Sequence, residues 1–249
     1  MNLLTRIRTL RSVRPAPEPE LPGVARSVAI IMDGSGRWAS SRGLPVVAGH
    51  RSGTRALRRT VEAAIDVGIE SLAVYAFSTE NWSRPSDEVD ALMELFVETI
   101  ERELADLARE GVRTRFIGRR DRAPVELQER IAALEATTAQ NSRLHLWIAF
   151  DYGGRAELVE AARRLVEAGV EPEEVDEELF AAQLYAPEMP DPDLLIRTSG
   201  ELRVSNFLLW QLAYAELVFV ERHWPDFGGD DLRGALDEYA RRRRRFGGR

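Results

Sequence analysis

Six short apolar runs, each separated from the next by a stretch of helical periodicity, constrain this chain more than any other feature. The runs fall at 28–32, 71–77, 113–118, 144–150, 194–198 and 216–220. Helical patterns cover 53–67, 87–109, 124–140, 155–168 and 177–184, and a last one at 230–242 closes the chain. That alternation predicts a single α/β domain, a central mostly parallel six-stranded sheet flanked by helices on both faces. No repeat or linker interrupts it after residue 26. The helix from Asp87 is the clearest, with Pro85 and Ser86 at its start. Asp87 and Glu88 sit in its first turn, where the helix dipole favours them. Its apolar stripe, which includes Val89, Leu92, Phe96, Ile100 and Leu104, is read as core; the wall of a hydrophobic cavity would have the same spacing.

Residues 1–26 stand apart as a flexible N-terminal arm before a domain spanning 27–249. Leu3, Leu4, Ile7 and Leu10 alternate with Arg6, Arg8 and Arg11 at helical spacing, and the Pro/Glu-rich piece at 15–22 then breaks any helix. Such a stripe leaves open a peripheral contact with an anionic membrane surface. No apolar run is long enough to span a bilayer. The start lacks the apolar segment of a secretory signal, and there is no cysteine, so a cytoplasmic address is expected. A net charge of −7 argues against nucleic acid as a partner. All 34 basic residues are arginine, which excludes the P-loop lysine and makes any single arginine less telling.

In parallel sheets ligands bind beyond the carboxyl ends of strands, so the residues following each run matter most. After the first come Asp33, Gly34, Ser35, Gly36, Arg37 and Trp38. Glycines there let backbone N–H groups approach a phosphate. A bare Asp33 would repel a diphosphate, which suggests a divalent cation between them. The second run is followed by Ser78, Thr79, Glu80, Asn81, Trp82, Ser83 and Arg84. Asp151, Tyr152, Gly153, Gly154 and Arg155 follow the fourth. Arg197 and Thr198 end the fifth, followed by Ser199, Gly200, Glu201, Arg203, Val204 and Ser205. Four ends rich in arginine, hydroxyl and amide groups suggest a site for more than one phosphate. His50, read as preceding a helix, is a further candidate donor, with capping an equal alternative. Aromatic neighbours such as Tyr75, Phe77 and Trp82 suit a diphosphate with a hydrocarbon tail. The glycines at 34 and 36 also fit a dinucleotide fingerprint, and hence an oxidoreductase. The acidic residue expected about 20 positions on is missing, because no Asp or Glu occurs between Asp33 and Glu62.

Longer motifs are more specific. Met32-Asp33-Gly34, Gly36-Arg37-Trp38-Ala39, Gly49-His50-Arg51, the run from Tyr75 to Pro85, and Tyr152-Gly153-Gly154-Arg155 occur in order. Ile196 to Glu201, Ser205 to Gln211 through Glu216, Trp224-Pro225-Asp226 and Arg245-Phe246-Gly247 complete the series. In these the chain closely resembles the cis-prenyltransferases, the undecaprenyl diphosphate synthase family, from about Val28 to Gly248. The resemblance implies a homodimer with a hydrophobic tunnel. It implies Mg²⁺-dependent condensation of isopentenyl diphosphate onto an allylic diphosphate such as farnesyl or geranyl diphosphate. The cis-polyprenyl diphosphate formed would serve as a lipid carrier of cell-wall glycan synthesis. A non-catalytic partner subunit of a heteromeric enzyme is the alternative, disfavoured by the presence of Asp33, Glu216 and the terminal Arg-x-Gly.

The same resemblance implies roles. Asp33 is the essential aspartate and, with Glu216, the metal ligand. Gly34, Ser35, Gly36, Arg37, Trp38 and His50 lie at the allylic diphosphate. Arg197, Arg203, Val204 and Ser205 lie at isopentenyl diphosphate. Ser78, Thr79, Glu80, Trp82 and Arg84 belong to a loop over the substrates. Asn81 stands where a proton acceptor is often placed, and a neutral amide there is better suited to orienting the group that takes the proton. Arg245 and Gly247 would reach a partner's site. Three positions depart from the family: Ser27 where histidine is usual, Ser35 for asparagine, and Val46 for arginine, with Arg42 or Arg51 as replacements. Ala76, Leu144 and Phe150 are expected at the tunnel wall, Phe150 as a limit on its length.

Overall fold

The computed structural model describes residues 24–242. The amphipathic start with its expected membrane contact, and Arg245 and Gly247, lie outside the described residues. The six expected strands form within two residues of their expected ends: β1 (Ser27–Ile31), β2 (Ser71–Ser78), β3 (Val112–Ile117), β4 (Leu144–Tyr152), β5 (Leu194–Thr198) and β6 (Glu216–Val220). They make one sheet in the order β3-β4-β2-β1-β5-β6, every neighbouring pair parallel. β1 is buried along its whole length because it lies mid-sheet with both faces covered. Alternate side chains go to opposite faces. Val28 and Ile30 join Leu72 and Val74 in one apolar cluster, while Ala29 and Ile31 join Ala73 and Leu195 in another.

The helices are α1 (Ser35–Ser40), α2 (Val46–Asp66), α3 (Ser86–Thr99), α4 (Ala105–Arg109), α5 (Val125–Thr138), α6 (Gly154–Glu167), α7 (Glu177–Ala181) and α8 (Gly229–Arg241). Two differ from expectation. Helix α2 starts at Val46, two turns before position 53, so His50 lies inside it rather than ahead of it. Gly49 and Gly53 are poor helix formers and hid this start. Packing overrides propensity: a Cβ on Gly49 would come within 2.9 Å of the Ser35 carbonyl carbon, so glycine lets α1 and α2 touch. The pattern at 87–109 is also not one α-helix. A π turn at Ile100–Leu104 divides α3 from α4. The apolar spacing Leu92, Phe96, Ile100, Leu104 is four residues, which drifts about 40° per step in a 3.6-residue helix. One wider turn returns the series to the same side.

Packing reaches back past Ser27. Ala25 is buried, and the Arg26 and Ser27 amides donate to Asp193 Oδ2 at 2.9 and 3.0 Å. Among the described residues no helix is long and apolar enough to cross a membrane. From β1 the chain passes to β2 on one side, and from β4 it later crosses to β5 on the other. The carboxyl ends of β1, β2 and β5 therefore flank a topological switch point, where this kind of sheet opens a crevice.

Candidate functional site

A cavity of about 850 Å³ opens at that crevice. Its mouth carries Asp33, Ser35, His50, Ser78, Glu80, Asn81, Arg84, Arg155, Arg197, Arg203, Val204 and Ser205. Its depth runs between α2, α3 and the sheet and is lined by Leu57, Leu92, Phe96, Ile100, Leu104 and Phe116 among others. One end is thus built for anions and the other for hydrocarbon.

Asp33 is held by three elements. Its N–H donates to Thr198 Oγ1 at 2.9 Å, and its carbonyl accepts from Thr198 Oγ1 at 2.7 Å and from the Trp224 N–H at 3.0 Å. Its carboxylate Oδ2 receives Arg197 Nη2 at 2.8 Å and stands 3.3 Å from Arg37 Nη2. Burial pushes the Asp33 carboxyl upward, but the hydrogen bond and charge of Arg197, helped by Arg37, hold it below the ordinary aspartate value. Gly34 follows with φ at +101°, a conformation only glycine adopts cheaply.

Arg197 is almost fully buried. Its Nη1 donates to the Arg203 carbonyl at 2.6 Å and to Ser205 Oγ at 2.7 Å, so one guanidinium ties Asp33 to the 203–205 loop. Beyond β2, Asn81 Oδ1 accepts from the Ser78 N–H at 2.9 Å and closes the turn Thr79–Ser83. Arg84 is paired with Glu88 at 2.9 Å. Burial, then the charge of Arg84, lowers the His50 pKa against the opposing pull of Glu88. The His50 Nε2 is buried without a hydrogen-bond partner. A buried polar atom at the rim of an open cavity is a place where a bound group finds a contact. Burial pushes the Glu80 carboxyl up, yet hydrogen bonds led by that of Asn206 bring it below the ordinary glutamate value.

Several expected site residues do not line the cavity. Trp38 turns toward α1's outer side, where Nε1 donates to Asp226 Oδ1 at 2.8 Å and Arg42 stacks on the ring. Arg37 reaches Glu201 at 3.1 Å and the Ser199 carbonyl at 3.3 Å, besides Asp33. A Cβ on Gly36 would meet only Val46 Cγ1, at an ordinary contact distance of 3.9 Å, so packing within the chain does not require glycine there. Thr79 donates to Glu80 Oε2 at 3.1 Å. Trp82 is anchored by Nε1 to Asp151 Oδ1 at 2.8 Å, with Arg122 over its ring. Arg42 and Arg51 are paired with Asp226 and Glu98, so neither supplies the donor expected in place of arginine at Val46.

Glu216 stands apart from the other expected site residues of this chain. It opens β6, in register with Leu194 and hence with Val28, at the amino end of the sheet. The rise of a parallel strand, about 3.3 Å per residue, puts it some five residues below Asp33. Its carboxylate is bound to Arg242 Nη1 at 2.9 Å. Within one chain it does not meet Asp33. Ser27 sits at the same remote end and contacts the Pro190 carbonyl, so its departure from the family lies away from the cavity. Ala76 lines the cavity, whereas Leu144 and Phe150 do not. Phe150 is fully buried behind Phe77 and Phe96, its ring centroid 5.0 Å from that of Phe96.

Among the described residues no group of three or more His, Asp or Glu side chains forms a protein-only metal cage. Asp33 supplies a single carboxylate beside arginine-rich anion subsites. That donor set fits a hard divalent cation such as Mg²⁺, which takes one or two carboxylates and completes its shell with substrate phosphates and water. Thr198 and Trp224, which position Asp33, and Asn206, which also lines the cavity, lie within the sequence motifs but carried no expected role.

Residues 31–247 match a protein-family profile described as "Putative undecaprenyl diphosphate synthase". A protein of Xanthomonas oryzae pv. oryzae, named ditrans,polycis-undecaprenyl-diphosphate synthase ((2E,6E)-farnesyl-diphosphate specific), is 51% identical over 235 residues, 93% of this chain and 91% of that one. An isoprenyl transferase of Thermotoga maritima is 47% identical over 227 residues, 90% of this chain and 97% of its own. Among solved structures, lavandulyl diphosphate synthase from Lavandula x intermedia in complex with dimethylallyl diphosphate superposes with a TM-score of 0.87 at 38% identity, covering 90% of this chain and 98% of that one.

Proposed function

Because the chain belongs to the undecaprenyl diphosphate synthase family, the cis-prenyltransferases, we propose that it condenses isopentenyl diphosphate with an allylic diphosphate, such as farnesyl diphosphate, into a cis-polyprenyl diphosphate. The observation that carries this reading is one cavity with both an arginine-rich mouth and an apolar depth. The diphosphates stay at the mouth while the growing chain enters the depth.

Ser35, which opens α1 beside Asp33, meets the allylic diphosphate, with His50 Nε2 as a further contact. Arg203 and Ser205 hold isopentenyl diphosphate. Arg197 orients both groups through the bonds that tie Asp33 to the 203–205 loop. The carbon–oxygen bond of the allylic diphosphate breaks and its electron pair leaves with the diphosphate. The isopentenyl double bond attacks the freed allylic carbon, and loss of a proton forms the new cis double bond. Preorganised donors facing the leaving diphosphate stabilise its developing charge. Mg²⁺ held by Asp33 would supply further neutralisation of that charge. Asn81 has its Oδ1 occupied by the Ser78 amide, so its Nδ2 is left to orient a phosphate oxygen or water that accepts the proton. The proposed enzyme is the homodimer that the family resemblance implies.

The test is incubation of the purified protein with labelled isopentenyl diphosphate, farnesyl diphosphate and Mg²⁺, followed by sizing of the extracted lipid. Products longer than the primer are expected. No elongation from any allylic primer would shift the function to a non-catalytic partner subunit.

A further inference from the structure

Glu80 is out of place at the mouth of this cavity. Arg84, Arg155, Arg197 and Arg203 line the same cavity, and a carboxylate among diphosphate subsites repels what the arginines attract. Both of its oxygens are already engaged: Oε1 accepts from Asn206 Nδ2 at 2.9 Å and Oε2 from Thr79 Oγ1 at 3.1 Å. Asn206 in turn has every polar group of its side chain in use. Its Oδ1 accepts from the Arg155 N–H at 2.8 Å, and its backbone carbonyl accepts from the Gly154 N–H at 2.7 Å. It therefore joins three of the strand-end loops: the turn after β2, the start of α6 after β4, and the loop after β5.

There is no slack in this junction. A Cβ on Gly153 would lie 2.6 Å from Thr79 Oγ1 and 2.8 Å from Asn206 Nδ2. The loop is also strained, with Ser205, Asn206 and Leu208 all at positive φ, of 45°, 64° and 43°. Such backbone persists only where its surroundings over-determine it, and here those are the bonds of Arg197 on one side and of Asn206 on the other.

We propose that the Glu80–Asn206 hydrogen bond is a latch that couples the two diphosphate subsites, so that occupation of one tightens binding at the other. The inference rests on the function proposed above and makes Glu80 and Asn206 positioning residues rather than substrate ligands. An allylic diphosphate that orders the turn Thr79–Ser83 aims Glu80, which holds Asn206 and with it Ser205 and Arg203. By linkage, isopentenyl diphosphate must strengthen allylic binding by the same factor.

Calorimetric titration of the full chain with Mg²⁺ tests this. The probes are isopentenyl diphosphate and farnesyl thiolodiphosphate, whose bridging sulfur makes it a poor leaving group. Wild-type protein should bind isopentenyl diphosphate about fivefold more tightly when saturated with the thiolodiphosphate, the low end of ordinary coupling. Asn206→Asp keeps the acceptor for Arg155 but sets a carboxylate against Glu80, and Glu80→Ala removes the latch without adding charge. Each should bring the ratio to about one. Asn206→Asp with Glu80→Gln reverses the direction of the hydrogen bond and should restore the ratio, which a merely structural role would not do. A wild-type ratio near one, a full ratio in Glu80→Ala, or no recovery in the reversed pair would overturn the latch while leaving the function standing. Failure of the wild-type protein to bind either diphosphate would overturn the function, and the latch with it.

Discussion

Gly34→Ala should damage the protein through two separable effects. The residue sits at φ +101°, where an L side chain costs about 1–2 kcal/mol. Its new Cβ would also lie 2.7 Å from His223 Nδ1 and 2.9 Å from Ser199 Cβ, and nearer still to Ser199 Oγ. Those neighbours cannot simply turn away, because Ser199 Oγ and His223 Nδ1 are bonded to each other at 2.6 Å. Overpacking of this kind adds about 1–3 kcal/mol, for a total loss of about 2–5 kcal/mol. Gly36→Ala is the control. The nearest atom to its Cβ would be Val46 Cγ1 at 3.9 Å, and a compatible glycine replaced by alanine gains about 0.4–1 kcal/mol. Urea titrations followed by tryptophan fluorescence read both, as midpoint shifts at unchanged slope. A Gly34→Ala protein within 1 kcal/mol of wild type, or a Gly36→Ala protein equally impaired, would refute the reasoning.

Other substitutions separate wall from core and charge from shape. Phe150→Ala should cost about 3–5 kcal/mol in urea titrations yet leave product length nearly unchanged, whereas Phe96→Ala, which removes cavity wall, should lengthen the extracted products. Arg197→Met should lose about 1.5–3 kcal/mol, less than a fully buried pair because Asp33 is partly solvated. Asp33 has its folded pKa lowered chiefly by Arg197, against the opposing effect of burial. This contribution is therefore present above the unfolded aspartate value and lost as pH falls through the folded one. The stability gap between wild type and Arg197→Met should accordingly be full at neutral pH and shrink at the acid end, as urea titrations over pH 2–7 would show.

Strand positions were legible because continuous apolar runs in alternation with helices leave few other arrangements. The rim of strand ends followed from the parallel sheet, and Asp33, His50, Arg197, Arg203 and Ser205 do gather there. Within this chain Glu216 lies on the opposite rim of the sheet from Asp33. A residue that opens a parallel strand must sit on the opposite rim from one that follows a strand, and the expected start of the last strand at 216 already implied as much. Trp38 and Trp82 lie within the right motifs, but their indole N–H groups are taken by Asp226 and Asp151. Those partners are 188 and 69 residues distant in the chain, beyond any local pattern. No role was expected of Asn206 for the same reason, since its side chain binds residues 51 and 126 positions away. Phe150 illustrates a different gap: alternation along a strand tells which face a side chain takes, not whether that face is cavity or solid core.

The central claim is that Asp33 acts through its charge at a leaving diphosphate. Asp33→Asn tests it most directly, because the bonds of Thr198 and Trp224 to the Asp33 backbone do not involve the carboxylate. Single-turnover incorporation of labelled isopentenyl diphosphate onto farnesyl diphosphate should fall by about 10²–10³-fold, while the urea midpoint falls by no more than in Arg197→Met, which breaks the same ion pair. Turnover within threefold of wild type would contradict the account.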